Sequence, residues 1–177
     1  MADRTKLWIA EQMRELMKKK PIDQIRITEI CSAAGIDRST FYYHFEDKYA
    51  LVAWIFYHTL ADINILDMQE AADSMKRMKN DILFYKRAYE QTTQNALWEH
   101  MLEYFVEGYS RIAKEKLHTD VLDVQLAYSI RLYCYGAVGM SKEWILEDNI
   151  TSAETAIRMM FASMPESLRK IYFGTPE

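Results

Sequence analysis

With 177 residues, 20.9 kDa and 50% hydrophobic residues, the chain is long enough to bury a core of ordinary size, as one compact unit or two small ones. It holds no run of about 18 apolar residues and no charged-then-apolar leader, so neither a membrane span nor a secretory signal is expected, and the expected location is cytoplasmic. A net charge of -4 argues against a nucleic-acid partner only if it is evenly spread, and it is not: residues 1–48 carry nine Lys or Arg against eight Asp or Glu, residues 49–177 thirteen against eighteen.

Taken in chain order, Ile9, Met13, Leu16 and Met17 recur at helical spacing and predict a first helix over about Asp3–Lys19. Lys20-Pro21 stops it, because the residue before proline avoids the helical region. Lys18-Lys19-Lys20 reads as a solvated last turn that complements the helix dipole. Ile22, Ile25 and Ile27 then pin the connection to the core.

The next stretch, Thr28–Lys48, predicts two short helices and the start of a third. Thr28 has the side chain of an N-cap, and Ile27, Ile30 and Ala34 give an apolar stripe. Gly35 can take the left-handed conformation that ends the helix; Ile36 returns to the core and Asp37 caps a second helix from Arg38. Two helices joined by about four residues around a glycine have the spacing of a DNA-reading motif. The second carries Arg38, Ser39, Thr40, Tyr42, Tyr43 and His44, groups that reach phosphates or base edges, while Phe41 and Phe45 read as core. Asp47 reads as the N-cap of a third helix. Lys48 at its start opposes the dipole unless an anion binds there, so a phosphate is expected at Lys48 and the free N–H groups beside it.

From Lys48 a long helix is predicted to about Leu66, shared between two bodies, and residues 67–80 read as a surface connection or weak helix. A second body is expected from Asp81, with helices marked by Ile82, Leu83, Tyr85 and Tyr89, then over about Gln94–Lys116 after a break at Thr92-Thr93. Aromatics at helical spacing there are ordinary core material, or they line an effector cavity. The candidates for that cavity are Trp98, Met101, Phe105, Tyr128 and Tyr133, with Arg131 and His100 as polar contacts; Arg131 pairing with Glu103 or Glu107, and His100 as a hydrogen-bonded or surface histidine, are the plainer readings. A helix over about Asp120–Leu146 contains Gly136 and Gly139, each costing about 1 kcal/mol relative to alanine, which suggests close packing against the backbone there. Asp148-Asn149 ends it, Thr151 or Ser152 caps another helix, and Ser167–Phe173 forms a final short helical turn.

Ile27-Thr28, Ile30, Ala33-Ala34-Gly35-Ile36, Ser39 to Phe45, Lys48 and Leu51 together resemble the N-terminal DNA-binding domain of TetR-family transcriptional regulators, over roughly residues 5 to 55. Cys31 departs from the family's usual alanine but is small and apolar enough to keep the packing. The two glycines, Trp144, a polar break and Ser152-Ala153-Glu154 are similar to the family's dimerisation pair, which forms a four-helix bundle across a two-fold axis. The resemblance implies an all-α fold. Residues 1–48 would be a helix-turn-helix DNA-binding domain and residues 49–177 a helical effector-binding and dimerisation domain.

It further implies a homodimer, probing two successive major grooves about 34 to 36 Å apart on a palindromic operator. Thr28, Ser39, Tyr43 and Lys48 would meet phosphates, Arg38, Thr40 and Tyr42 base edges or nearby phosphates, and His44 either. Arg4, Lys6 and Arg26 would add positive charge. A shorter resemblance, of Phe84-Tyr85-Lys86-Arg87-Ala88 and Gln94-Asn95-Ala96-Leu97, is to the family's DhaS-like branch, which implies a protein partner as effector in place of a small molecule. A repressor is the expectation, with a DhaS-like co-activator or adaptor as the alternative. No glycine-rich phosphate loop, nucleophile motif or metal spacing occurs, and Cys31 and Cys134 lie apart in apolar helical contexts; no catalysis, cofactor or metal is expected.

Overall fold

Helix α1 (Ala2–Lys19) turns Ile9, Met13 and Met17 fully inward, ends at Lys20-Pro21, and leads into a 3-10 turn, Ile22–Gln24. The computed structural model describes residues 2–89, 97–147 and 151–174, and these are all-α, without strands. They form two units, one from residues 1–61 and 81–100, the other from residues 62–80 and 101–177. This division differs from the expected boundary after residue 48.

In the first unit, α2 (Ile27–Ala34) and α3 (Arg38–His44) are the expected pair of short helices, joined through Gly35 at φ 65°. The N–H of Gly35 donates to Ser32 and that of Ile36 to Cys31, at 3.3 and 3.0 Å, closing the left-handed helix end. Thr28 is not the N-cap. Arg26 holds that place, its N–H donating to the Glu29 carboxylate at 2.9 Å, and Thr28 is the second helical residue. Helix α4 (Lys48–Leu60) begins as expected at Asp47, whose Oδ1 accepts from the N–H groups of Tyr49 and Ala50 at 2.8 and 2.7 Å.

The predicted continuation of α4 to Leu66 does not form. Asn64 accepts from the N–H of Leu66, and Asp67 accepts from those of Gln69 and Glu70, so side chains compete for the backbone donors a helix would need. Asp67 thereby caps α5 (Met68–Asn80), a full helix where a surface connection or weak helix was expected. Ala72, Met75 and Met78 are its buried stripe.

Helix α6 (Ile82–Tyr89), expected in the second body, packs on α1 in the first unit. Arg14 explains the placement: its guanidinium pairs with Asp81, lies 5.0 Å from the centre of the buried Phe84 ring, and reaches Thr59 of α4 at 3.4 Å. The break expected at Thr92-Thr93, the residues of the second resemblance from Gln94 to Ala96, and Asp148-Asn149 lie outside the described residues.

Helix α7 (Leu97–Leu117) gives residues 97–100 to the first unit and 101–117 to the second. There α8 (Val124–Leu146), α9 (Ala153–Ala162) and α10 (Glu166–Phe173) complete the bundle with α5. Asp123 and Ser152 cap α8 and α9 with side-chain hydrogen bonds of 2.9 and 3.2 Å. Three tyrosines bury their rings and satisfy their hydroxyls on backbone carbonyls: Tyr109 on Ile65, Tyr172 on Tyr109 and Tyr133 on Met160. Burial pushes the Tyr133 hydroxyl up to about 12.

Candidate nucleic-acid interface

Two rings seat α3. Phe41 is fully buried and Phe45 nearly so, 5.9 Å apart, and Trp54 of α4 meets Phe45 edge-on at 5.8 Å. With Phe41 fixed inward, the rest of a seven-residue helix must face outward or sideways. Arg38 and Ser39 are exposed, Thr40 and His44 half-buried, and Tyr42 and Tyr43 are 47% and 81% exposed. Thr28 is also exposed on α2.

The exposed groups are partly ordered by one another. Tyr42 packs edge-on against Phe41 at 5.6 Å, and the Arg38 guanidinium lies 5.8 Å from the Tyr42 ring centre while donating to its hydroxyl at 3.4 Å. Tyr43 meets the His44 ring edge-on at 5.0 Å. A ridge of hydroxyls, one guanidinium and one imidazole on a seated helix can donate to phosphate oxygens and to acceptors on base edges.

Lys48 has partners within the chain. All three ammonium hydrogens of a lysine can donate, and here the Nζ lies 2.8, 3.2 and 3.0 Å from the carbonyl oxygens of Ile22, Asp23 and Ile25. Tyr49 adds a bond from its hydroxyl to Asp23 at 3.1 Å. The first turn of α4 therefore holds the 3-10 turn in place, and Asp47 takes the N–H groups of Tyr49 and Ala50. Lys48 thus has a structural role that competes with the expected phosphate contact. Lys6 likewise lies over the Phe45 and Trp54 rings, at 5.8 and 5.9 Å.

Among the other cations, Arg4, Arg26 and Arg38 are exposed, whereas Arg14, Lys18 and Lys20 pair with Asp81, Glu15 and Glu29. The Glu29 carboxyl is held below its ordinary value, first by the Lys20 hydrogen bond and then by the Arg26 N–H. No signal in the residues around Lys48 distinguishes three carbonyls from a phosphate, since the carbonyls come from a turn over twenty residues earlier.

The six candidate effector residues are divided between the two units. Trp98, half-buried, belongs to the first unit and the other five to the second. Met101 and Tyr133 are buried and Phe105 half-buried, but Tyr128 is 69% exposed and Arg131 exposed on the outer face of α8. Arg131 lies over the Tyr135 ring at 5.6 Å, in place of a pairing with Glu103 or Glu107. His100 takes the plainer role, its Nδ1 3.2 Å from the Tyr57 hydroxyl.

What α8 and α9 do form is an apolar groove of about 480 Å³ lined by Leu132, Tyr133, Gly136, Met140, Trp144 and Met159 among others. Gly136 and Gly139 open on solvent: a Cβ at either would meet nothing within 4 Å. Among the described residues, the close packing expected there is absent. It occurs at Gly108, where a Cβ would lie 2.9 Å from the Ile65 side chain. From α5, Lys79 donates to the carbonyls of Trp144 and Glu147 at 3.1 and 2.7 Å, fixing the end of α8 beside the groove.

Residues 9–55 match the profile of bacterial regulatory proteins of the tetR family, and residues 69–166 match that of a transcriptional regulator C-terminal region. The chain is 34% identical over 55 residues to the HTH-type dhaKLM operon transcriptional activator DhaS of Lactococcus lactis subsp. lactis (strain IL1403). That match covers 31% of this chain and 29% of the relative's length. A solved structure, the dihydroxyacetone kinase operon activator DhaS, is similar with a TM-score of 0.63 over 90% of this chain and 96% of that one. At 20% identity the likeness is one of fold.

Proposed function

The chain belongs to the tetR family of bacterial regulatory proteins, transcription regulators with a helix-turn-helix DNA-binding domain, and from that premise we propose that it acts as a homodimer on a palindromic operator. Its place of action is then the cytoplasm, and it performs no catalysis. The observation that carries the reading is the seating of α3: Phe41 and Phe45 inward, and Arg38, Ser39, Thr40, Tyr42, Tyr43 and His44 left on an accessible ridge. Ser39, Tyr43 and Thr28 serve phosphates; Arg38, Thr40 and Tyr42 serve base edges, and His44 either.

The dimer is supported by the outer face of α8, where Val124, Tyr128, Leu132 and Tyr135 recur at helical spacing in solvent beside two open glycines, with Met159 of α9 across the groove. Pairing of this face with itself about a two-fold axis buries the stripe and presents two α3 helices. An effector of the second unit, small molecule or protein, controls binding only if it has different affinities for the two arrangements of the dimer. Met101, Phe105 and Tyr133 remain its candidate contacts there. A second reading, activator in place of repressor, is favoured by the names of both relatives, each an operon activator.

The test is selection of duplexes from a random pool by the purified chain, with mass measured under native conditions. Enrichment of a palindrome by a dimer is expected. A chain that enriches no sequence, or that stays monomeric at operator-binding concentrations, overturns the proposal.

A further inference from the structure

We infer that Arg38 is the residue that selects a guanine in each half-site, with Tyr42 as the positioning residue that aims it; the inference rests on the DNA-binding reading above. The first support is the ordering of a side chain that would otherwise be free. Phe41 is fully buried, the Tyr42 ring leans edge-on against it at 5.6 Å, and the Arg38 guanidinium is held to that ring at 5.8 Å and to its hydroxyl at 3.4 Å. A long side chain is thus tied, through one intermediate ring, to the core of the unit, and less rotamer freedom is lost when it meets a ligand.

The second support is what remains unused. A guanidinium has five N–H donors in a planar fork, and Tyr42 takes one. Among the described residues Arg38 has no ion-pair partner, unlike Arg14 and Arg111, which pair with Asp81 and Glu115. The remaining donors ask for two acceptors side by side in one plane. In the major groove guanine offers that pair, O6 and N7, whereas adenine puts a donor beside its N7 and would leave one N–H of the fork facing another.

The third support is position. Arg38 is the first residue of α3, and the N-terminal residues of a recognition helix are those that reach base edges. Ser39 and Tyr43, exposed on the same helix, carry neutral hydroxyls that suit phosphate oxygens but cannot replace a fork. Lys48, which could have competed as the cation of the site, is held by three carbonyls.

The experiment is duplex selection with the full-length wild type, Arg38→Lys, Arg38→Ala and Tyr42→Phe, followed by titrations of the selected site and its single-base variants at several salt concentrations. Expected is one symmetry-related guanine whose preference over the other bases falls about tenfold or more in Arg38→Lys and Arg38→Ala, with the other positions still selected. Tyr42→Phe, which keeps the ring and removes the acceptor, reduces the same preference by a smaller factor, about two- to fivefold. A wild type that selects a site in which no guanine responds to the Arg38 variants overturns this inference and leaves the regulator reading intact. So does uniform weakening on all sequences with a salt slope reduced by about two, one for each half-site, the mark of a phosphate contact. A wild type that selects nothing overturns both.

Discussion

Helices α3 and α8 both leave large side chains in solvent, but of different kinds. On α3 every exposed side chain, Arg38, Ser39, Tyr42 and Tyr43, carries a donor, and none is aliphatic, whereas α8 sets the aliphatic Val124 and Leu132 among its exposed tyrosines. On α8 the exposed stripe runs from Val124, 86% exposed, through Tyr128 and Leu132 to Tyr135, beside Gly136 and Gly139. A surface of donors matches a polyanion, whose oxygens are acceptors throughout. The aliphatic positions of α8, Val124 and Leu132, have nothing to offer such a partner and gain only when another apolar surface excludes water from them. The chemistry of the two faces thus separates a nucleic-acid ridge from a protein interface, although both sit on helices with one buried side.

The separation is broken most severely at Leu132, which is 60% exposed on the stripe. Leu132→Glu places an unpaired carboxylate in the proposed two-fold contact. The dimer is expected to weaken by about 100-fold or more, seen by light scattering across a dilution series. Operator affinity falls with it, because one half-site contact alone is weak, while thermal stability of the separated chain changes by under about 0.5 kcal/mol. A dimer that survives unchanged would move the interface elsewhere.

Lys48→Met sharpens the α3 side. Its loss leaves three carbonyls with one donor fewer and loosens the 3-10 turn from α4. Stability should drop by about 1.5–3 kcal/mol, the range for hydrogen bonds to a charged group, measured by denaturant unfolding. The salt slope of operator binding should stay the same. A slope lower by about two, one for each half-site, at unchanged stability, would return Lys48 to the phosphates.

The glycines offer a smaller test and show where reading from sequence stops. Gly108→Ala forces a Cβ to within 2.9 Å of Ile65 and is expected to cost about 1–3 kcal/mol unless that side chain shifts. Gly139→Ala meets nothing within the chain, so it should raise helix stability by up to about 1 kcal/mol while weakening the dimer. Residues 136 and 139 drew attention because glycine in a helix is unusual, yet only Gly108 has an intrachain reason, and that reason is a loop residue 43 positions earlier. The helix-turn-helix was legible because its determinants are local: Gly35 at the turn, Asp47 as cap, Phe41 and Phe45 at core spacing. The carbonyl partners of Lys48, the placement of α6 and the buried face of α5 were not. Lys48 answers to carbonyls 23 to 26 residues away, α6 is drawn to α1 by an Arg14–Asp81 pair 67 residues apart, and α5 buries Ala72, Met75 and Met78 in an otherwise polar sequence. The exposure of Tyr128 and Arg131 was likewise not legible. Helical spacing gives a face but not which neighbour, if any, covers it.

The smallest effect concerns the seat of α9, the second helix of the proposed interface. Lys76 of α5 pairs with Glu154 in the first turn of α9 and with Asp73 at 3.1 Å. The hydrogen bond from Lys76 is the main reason the Glu154 carboxyl lies below its ordinary value of 4.5, and the same pair raises Lys76 above 10.5. A carboxyl lowered in the folded state favours folding fully above its ordinary value, and that contribution disappears as the pH falls through the lowered one. The lysine acts at the other end, contributing fully below 10.5 and losing its effect as the pH rises through the raised value. Glu154→Gln should therefore flatten the acid limb of unfolding temperature against pH, between about pH 3 and 5, with the neutral plateau little changed because solvent screens an exposed pair. If the acid limb of dimer dissociation flattens as well, α9 is seated by this pair in the form that dimerises; if only unfolding responds, the α8 stripe carries the contact by itself.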